Sequence, residues 1–267
     1  HDPGGCPVLN TQSKLADPLI DLKLFRIPAF SAALAVNILG FLTAFAAFLF
    51  IAQYLQSVLG LSPLREGLWS IPSALAFIVG SMFTPAIVRR FPPAYVIAGG
   101  MAISAAGFIL LAMVDDAASQ LAVLVAGSIV FSLGLTPVVT LTTDIVLSAA
   151  PPERAGAASA LSETSSEFGG ALGIAVMGSI VTAIYRGEIA GTFPPGVPAE
   201  AAEIARGTIG GAVSVASDLP DMMGAEVLDS AREAFAHAFG TSAAISAMIA
   251  IGVALLAVAM LRRTQAS

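Results

Sequence analysis

Six long stretches of the chain contain no Asp, Glu, Lys or Arg, and short charged clusters separate them. They lie between Arg26 and Arg65, Glu66 and Arg89, Arg90 and Asp115, Asp116 and Asp144, Glu167 and Arg186, and Glu233 and Arg262. A bilayer core is about 30 Å thick and a helix rises about 1.5 Å per residue, so about 20 apolar residues make one span. The pattern therefore predicts six transmembrane helices, near 29–58, 66–88, 93–114, 119–147, 156–185 and 234–261. Runs this continuous lack the alternation of a membrane β-barrel strand. The expected fold class is an all-α membrane protein of six transmembrane helices.

Two stretches fall outside this pattern. Residues 1–28 are polar and lack the basic, apolar and small-residue succession of a signal peptide. They read as a linker on the cytoplasmic side, ending in an amphipathic segment, residues 15–26, along the membrane surface. The first residue is His1, and the sequence is expected to be a piece of a longer one. Residues 187–232 form the one long connection, set apart from spans one to five (29–186) and from the last span and tail (233–267). Pro194, Pro195 and Pro198 open it, and helix-like stretches near 199–216 and 221–236 are broken by Ser217–Pro220. A connection this long is usually structured or functional. It reads as an external helical hairpin, with a solvated spacer as the alternative.

Charge orients the chain. With both ends in the cytoplasm, Lys14, Lys23, Arg26, Arg89, Arg90, Arg154, Arg262 and Arg263 face inward. Arg65, Arg186, Arg206 and Arg232 face outward, which satisfies the positive-inside rule. A multi-pass protein of the plasma membrane is expected. Hydrophobic residues are 57% of the chain and charged residues 11%, far from the balance of a water-soluble domain. A net charge of −6 argues against a nucleic-acid partner. Cys6 is the single cysteine, so no cysteine zinc site or internal disulfide can form. No phosphate-binding loop, HExxH or GxSxG motif is present. The chain does not read as an enzyme and calls for no cofactor or metal; any active transport would draw on an ion gradient.

Ionisable groups inside a span are costly and mark functional paths. Glu163 and Glu167 lie four apart in span five, on one helix face, and continuing that face gives Ser159, Gly170, Ile174, Met177 and Val181. Two carboxylates in a low dielectric attract a cation or hold protons. A pair satisfied by neighbouring helices is the plainer alternative. Span four carries Ser132, Thr136, Thr140 and Asp144 at steps of four. They could line a path toward the cytoplasm, or the hydroxyls could bond back to their own helix. Span one places Asn37, Phe41, Phe45, Phe48 and Gln56 within about 100° of arc. An amide and aromatic face suits a flat organic cation through stacking and cation–π contact. Gly169 and Gly173 have the small-xxx-small spacing of closely packed helices.

Two segments carry a family resemblance. Residues 50–74 contain Tyr54-Leu55-Gln56, Val58-Leu59-Gly60, Ser62-Pro63, Gly67 and Pro72. This resembles the YLQ-x-VLG-x-SP-x-x-x-G-x-x-x-x-P segment of the fourteen-helix drug:proton antiporters of the major facilitator superfamily. Residues 151–180, with Gly169, Gly170 and Gly173, are similar to the loop and penultimate helix of that branch, and residues 17–25 to its lead-in. The acids at 163 and 167 look like those of the QacA-like pumps, whose substrates are lipophilic cations. The resemblance implies the C-terminal half of such a transporter, whose missing partner is an N-terminal half of eight helices. It implies export of quaternary ammonium compounds and dyes in exchange for protons. Glu163 and Glu167 would neutralise the cation, Asn37, Phe41, Phe48 and Gln56 would contact its body, and Asp144 would guard the inner vestibule. An exporter of another substrate class on the same scaffold, or a membrane scaffold without transport of its own, is the alternative.

Overall fold

The computed structural model describes residues 24–114 and 120–264. A 3₁₀ turn, Leu24–Arg26, precedes α1, Pro28–Gln53, which a π turn, Tyr54–Val58, prolongs. Then follow α2 (Pro63–Val88), α3 (Pro93–Ala112) and α4 (Gln120–Ser148). A 3₁₀ turn, Pro152–Arg154, leads into α5 (Ala155–Ile189), and α6 (Ala199–Gly207), α7 (Ile209–Asp218) and α8 (Asp221–Thr264) complete the chain. Among the described residues, six helical stretches are long and apolar enough to cross a membrane: Pro28–Val58, Pro63–Val88, Pro93–Ala112, Gln120–Ser148, Pro152–Ile189 and Asp221–Leu261. These are the six predicted ones, lengthened at several ends. Only residues 24–26 of the expected amphipathic segment are described; the rest of it lies outside the described residues.

Local chemistry places the helix starts. Pro28, Pro63 and Pro93 each stand in the first turn, where a missing N–H leaves no bond unmade. The Ser62 hydroxyl accepts from the Arg65 N–H at 3.4 Å and caps α2. Just before it, Gly60 turns the chain at φ 66°, a conformation that costs glycine little. Four-residue links such as 59–62 and 89–92 make successive spans run in opposite directions.

Helix α1 is the central element, packed on α4, α5 and α8. Of its most apolar window 61% is buried, against 11% for α2, which rests mainly on α4 at the rim. The α1–α5 seam is built from small residues. Ser162, Ser166, Gly169, Gly170 and Gly173 are all buried. A Cβ on Gly169 would collide with the Ile38 carbonyl, and one on Gly173 with the Leu42 carbonyl. The seam continues through Met177 and Val181, so these two and Gly170 turn inward, while Glu163, Glu167 and Ile174 stay on the open side. The face predicted from helical spacing therefore divides between a packed edge and an exposed one.

The long connection differs from expectation in two respects. The first stretch is two short helices, α6 and α7, broken where Thr208 caps α7 by accepting from the Gly211 N–H at 3.0 Å. The second stretch is no separate arm, because Asp221–Thr264 is one unbroken helix and the expected boundary at 232/233 falls inside it. Residues 221–236 hold no proline, their one glycine, Gly224, lies close against the Ala216 carbonyl, and Val227, Ala231, Ala234 and Phe235 are buried, so the apolar stripe of the span runs on outward. The Tyr185 hydroxyl donates to the Ala205 carbonyl at 2.8 Å, and the Arg232 guanidinium to the Ser57 carbonyl at 3.3 Å, fastening this end to α1 and α5.

Gly173→Ala in the full-length protein is expected to lower Tm, because overpacking costs about 1–3 kcal/mol and exceeds the gain of about 1 kcal/mol from helix propensity. Gly178→Ala, where an added Cβ meets nothing within 4 Å, leaves Tm unchanged or slightly raised. Differential scanning fluorimetry of both variants checks this.

Candidate functional site

An aromatic cleft opens where α2 leans away from α1. It has a volume of about 450 Å³ and lies between α1, α2 and α4. Phe41, Phe45, Phe48 and Phe77 supply its rings; Ser70, Ser73 and Ser132 supply its few polar groups. Phe41 and Phe45 have ring centroids 5.8 Å apart, inclined at 52°. Phe48, 45% exposed, leans on buried Phe131 at 5.1 Å, and Phe131 stacks on Phe108 at 5.2 Å. The outer ring is thus held by two inner ones, which restricts its rotation. Ser132 is buried, and its hydroxyl has no hydrogen-bond partner among the described residues. Phe41 and Phe48 are brought together as the sequence predicted. Phe77 was not foreseen, since one Phe on an evenly apolar helix carries no periodic signal.

Asn37 has another place. It is 1% exposed, and its Nδ2 donates to the Thr142 hydroxyl at 3.1 Å. Its Oδ1 accepts from the Ser166 hydroxyl at 3.0 Å. One amide thereby ties α1 to α4 and α5 at once. Nearby, the Thr143 and Ser162 hydroxyls meet at 3.5 Å. Asn37 is separated from the phenylalanines because the helix face that spacing alone defines is shared between two neighbours.

Gln56 is exposed and does not line the cleft. It lies in the π turn Tyr54–Val58, where the Leu59 N–H donates to the Tyr54 carbonyl at 3.1 Å. The wider turn advances each residue through less than 100° and carries Gln56 off the face that a regular helix predicts. Tyr54 from the same motif is fully buried, against Phe239 at 5.1 Å and Phe235 at 6.4 Å.

Glu163 and Glu167 are exposed on α5, one turn apart, and among the described residues neither has an ion pair or side-chain hydrogen bond. Asp144 is likewise exposed, next to Thr143 at the point where α4 touches α5. All three carboxylates are exposed, and none lines the aromatic cleft. In the polar stripe of α4, Thr136 donates to the Ser132 carbonyl at 2.9 Å and Thr140 to the Thr136 carbonyl at 3.0 Å, back along their own helix, and the Thr136 hydroxyl also lies 3.3 Å from the Phe77 carbonyl of α2.

A second cavity, about 410 Å³, lies beneath the start of α7, lined by Gln53, Ser57, Thr182, Tyr185 and Thr208. Its polar residues come from three distant segments, and no single stretch of sequence announces it.

Residues 7–174 match the family model of the Major Facilitator Superfamily. The chain belongs to this family. It is 33% identical, over 97% of its length and 51% of the relative's, to the multidrug efflux pump LfrA of Mycolicibacterium smegmatis. It is 32% identical to the methyl viologen resistance protein SmvA of Salmonella typhimurium, over 92% of this chain and 50% of that one. With the tetracenomycin C resistance and export protein of Streptomyces glaucescens the identity is 29%, over 92% of this chain and 46% of that one. The chain spans about half the length of these curated relatives. Its fold is also that of a bacterial homologue of the human lysosomal transporter Spinster, solved inward-facing and unoccupied. That likeness has a TM-score of 0.65 at 18% identity, over 98% of this chain and 53% of that one.

Asn37→Ala removes two buried bonds between helices, worth about 0.5–1.5 kcal/mol each, while the Thr142 and Ser166 hydroxyls keep their bonds to the Val138 and Ser162 carbonyls. The full-length variant is expected to show a lower Tm, and Phe41→Ala, on the open cleft, a smaller change. Parallel thermal unfolding of the two tests the assignment of Asn37 to packing.

Proposed function

We propose that this chain is the C-terminal half of a proton-coupled multidrug efflux transporter that exports lipophilic organic cations such as quaternary ammonium compounds and dyes. The observation that carries the reading is the pair Glu163 and Glu167, two carboxylates without partners on the open face of a membrane-spanning helix. Ionisable side chains within a membrane-spanning helix are costly and usually face the protein interior or a water-filled path, where a ligand or proton completes them. The names of the relatives support the substrate class: a multidrug efflux pump, a methyl viologen resistance protein and an antibiotic exporter. Residues facing Glu163 and Glu167 would come from the other half of the protein, a further eight helices, and alternating access would rock one half against the other. In this reading both ends of the chain are cytoplasmic, the protein lies in the plasma membrane, and the α5–α8 connection is external.

Within that frame Glu163 and Glu167 exchange a proton for the cation, so only one of the two ligands is bound at a time. Phe41, Phe45 and Phe48 offer π faces to the aromatic body of the drug. Asp144 adds negative charge at the inner mouth and raises the local concentration of cations.

The test is ethidium efflux from energised cells expressing the full-length gene. Removing one partner of a desolvated charge pair costs about 2–5 kcal/mol. Glu163→Gln/Glu167→Gln is therefore expected to slow ethidium efflux at least about thirtyfold at matched membrane expression, while a neutral substrate is exported at nearly the wild-type rate. Efflux that survives an uncoupler, or a double variant as fast as wild type, would overturn the reading.

A further inference from the structure

Helices α2 and α3 follow each other through the short link 89–92 yet scarcely touch. Between them runs a groove of about 480 Å³, larger than the aromatic cleft and almost wholly apolar. Phe83, Ile87, Phe91 and Ile103 form its walls, and Gly99 and Pro137 leave room at its base. At one end stand Arg89 and Arg90, in the link between the lining residues Ile87 and Phe91. Both are exposed, and neither guanidinium has a carboxylate or hydrogen-bond partner among the described residues. Tyr95, 48% exposed, lines the same end.

This arrangement has the polarity of a phospholipid. An apolar slot lies at membrane depth, an amphipathic ring marks the interface, and two fixed positive charges stand at the level of the headgroups. A protein segment seated there would have to bring its own anion to the arginines, and an organic cation would be repelled by them. We propose that the groove between α2 and α3 holds an acyl chain of an anionic phospholipid, whose phosphate is bound by Arg89 and Arg90. Arginine suits the task because its guanidinium grips a phosphate with two parallel hydrogen bonds. The bound lipid fills the space that α2 leaves and so steadies α2, the wall of the aromatic cleft on its other side. The site is independent of what the protein transports.

Native mass spectrometry of the full-length protein tests this, after reconstitution in nanodiscs of equal parts phosphatidylglycerol and phosphatidylcholine. At about 1 kcal/mol for each arginine near the surface, wild type should retain phosphatidylglycerol over phosphatidylcholine by about thirtyfold. Arg89→Gln/Arg90→Gln is expected to bring the ratio close to one, and Arg89→Lys/Arg90→Lys to keep most of it. Gly99→Phe is expected to abolish retention of either lipid with both arginines in place, since a Cβ on Gly99 meets nothing within 4 Å and the ring can enter the groove. No preference in wild type, or a preference that survives loss of the arginines, would overturn the proposal. Retention by Gly99→Phe would do the same, as would a wild type with no retained lipid because another part of the full-length protein covers the groove. Should Gly99→Phe fail to fold, the arginine variants decide alone, since both side chains are exposed.

Discussion

Between α1 and α5 the backbones meet without intervening side chains. Gly169 rests on the Ile38 carbonyl and Gly173 on the Leu42 carbonyl, one helical turn apart on both partners. In lipid there is little hydrophobic gain from pressing helices together, so association depends on van der Waals fit and on hydrogen bonds between helices. The glycine seam supplies the first, and Asn37, with Thr142 and Ser166, supplies the second. With the rotation of α1 and α5 set by these contacts, every other side chain on the two helices has its direction assigned.

Two sides of α1 then take different work. The side carrying Asn37, Gly40 and Leu42 is knitted into α4 and α5 and cannot open without breaking buried polar bonds. The side carrying Phe41, Phe45 and Phe48 borders the cleft that α2 and α4 complete, with Phe48 resting on Phe131. Because α2 rests mainly on α4, it leaves space on both flanks, toward α1 as the aromatic cleft and toward α3 as the apolar groove. A peripheral helix held on one edge is also the element with the lowest cost of movement, since few buried contacts must be broken to shift it.

The family motif acquires physical meaning residue by residue. Tyr54 anchors the end of α1 against α8, the π turn absorbs one extra residue, Gly60 reverses the chain, Ser62 caps α2 and Pro63 starts it. Together these features build a corner rather than a binding site. Long-range ties meet at the same end of the molecule: Arg232 on Ser57, Tyr185 on Ala205, and His237 with Glu188 at 3.0 Å. They join the α5–α8 connection to the spans and close a cavity that the spans alone would leave open.

The sequence determined the number and helical nature of the spans, because a charge-free run of about 20 residues has no other stable form in a bilayer. It also marked the glycine spacing of the small-residue seam, which can be read along the chain. The tertiary structure decided which face of each helix is covered. Helical spacing put Asn37, Phe41 and Gln56 together, yet Asn37 is claimed by Thr142 and Ser166, Phe41 faces the cleft and Gln56 is turned away by the π turn. Spacing likewise joined Glu167 to Met177 and Val181, which the α1 seam separates. In a helix that is apolar all round, periodicity names no inward side. The inward side is chosen by where two backbones can approach and by which buried polar groups find each other, and both depend on residues more than a hundred positions apart.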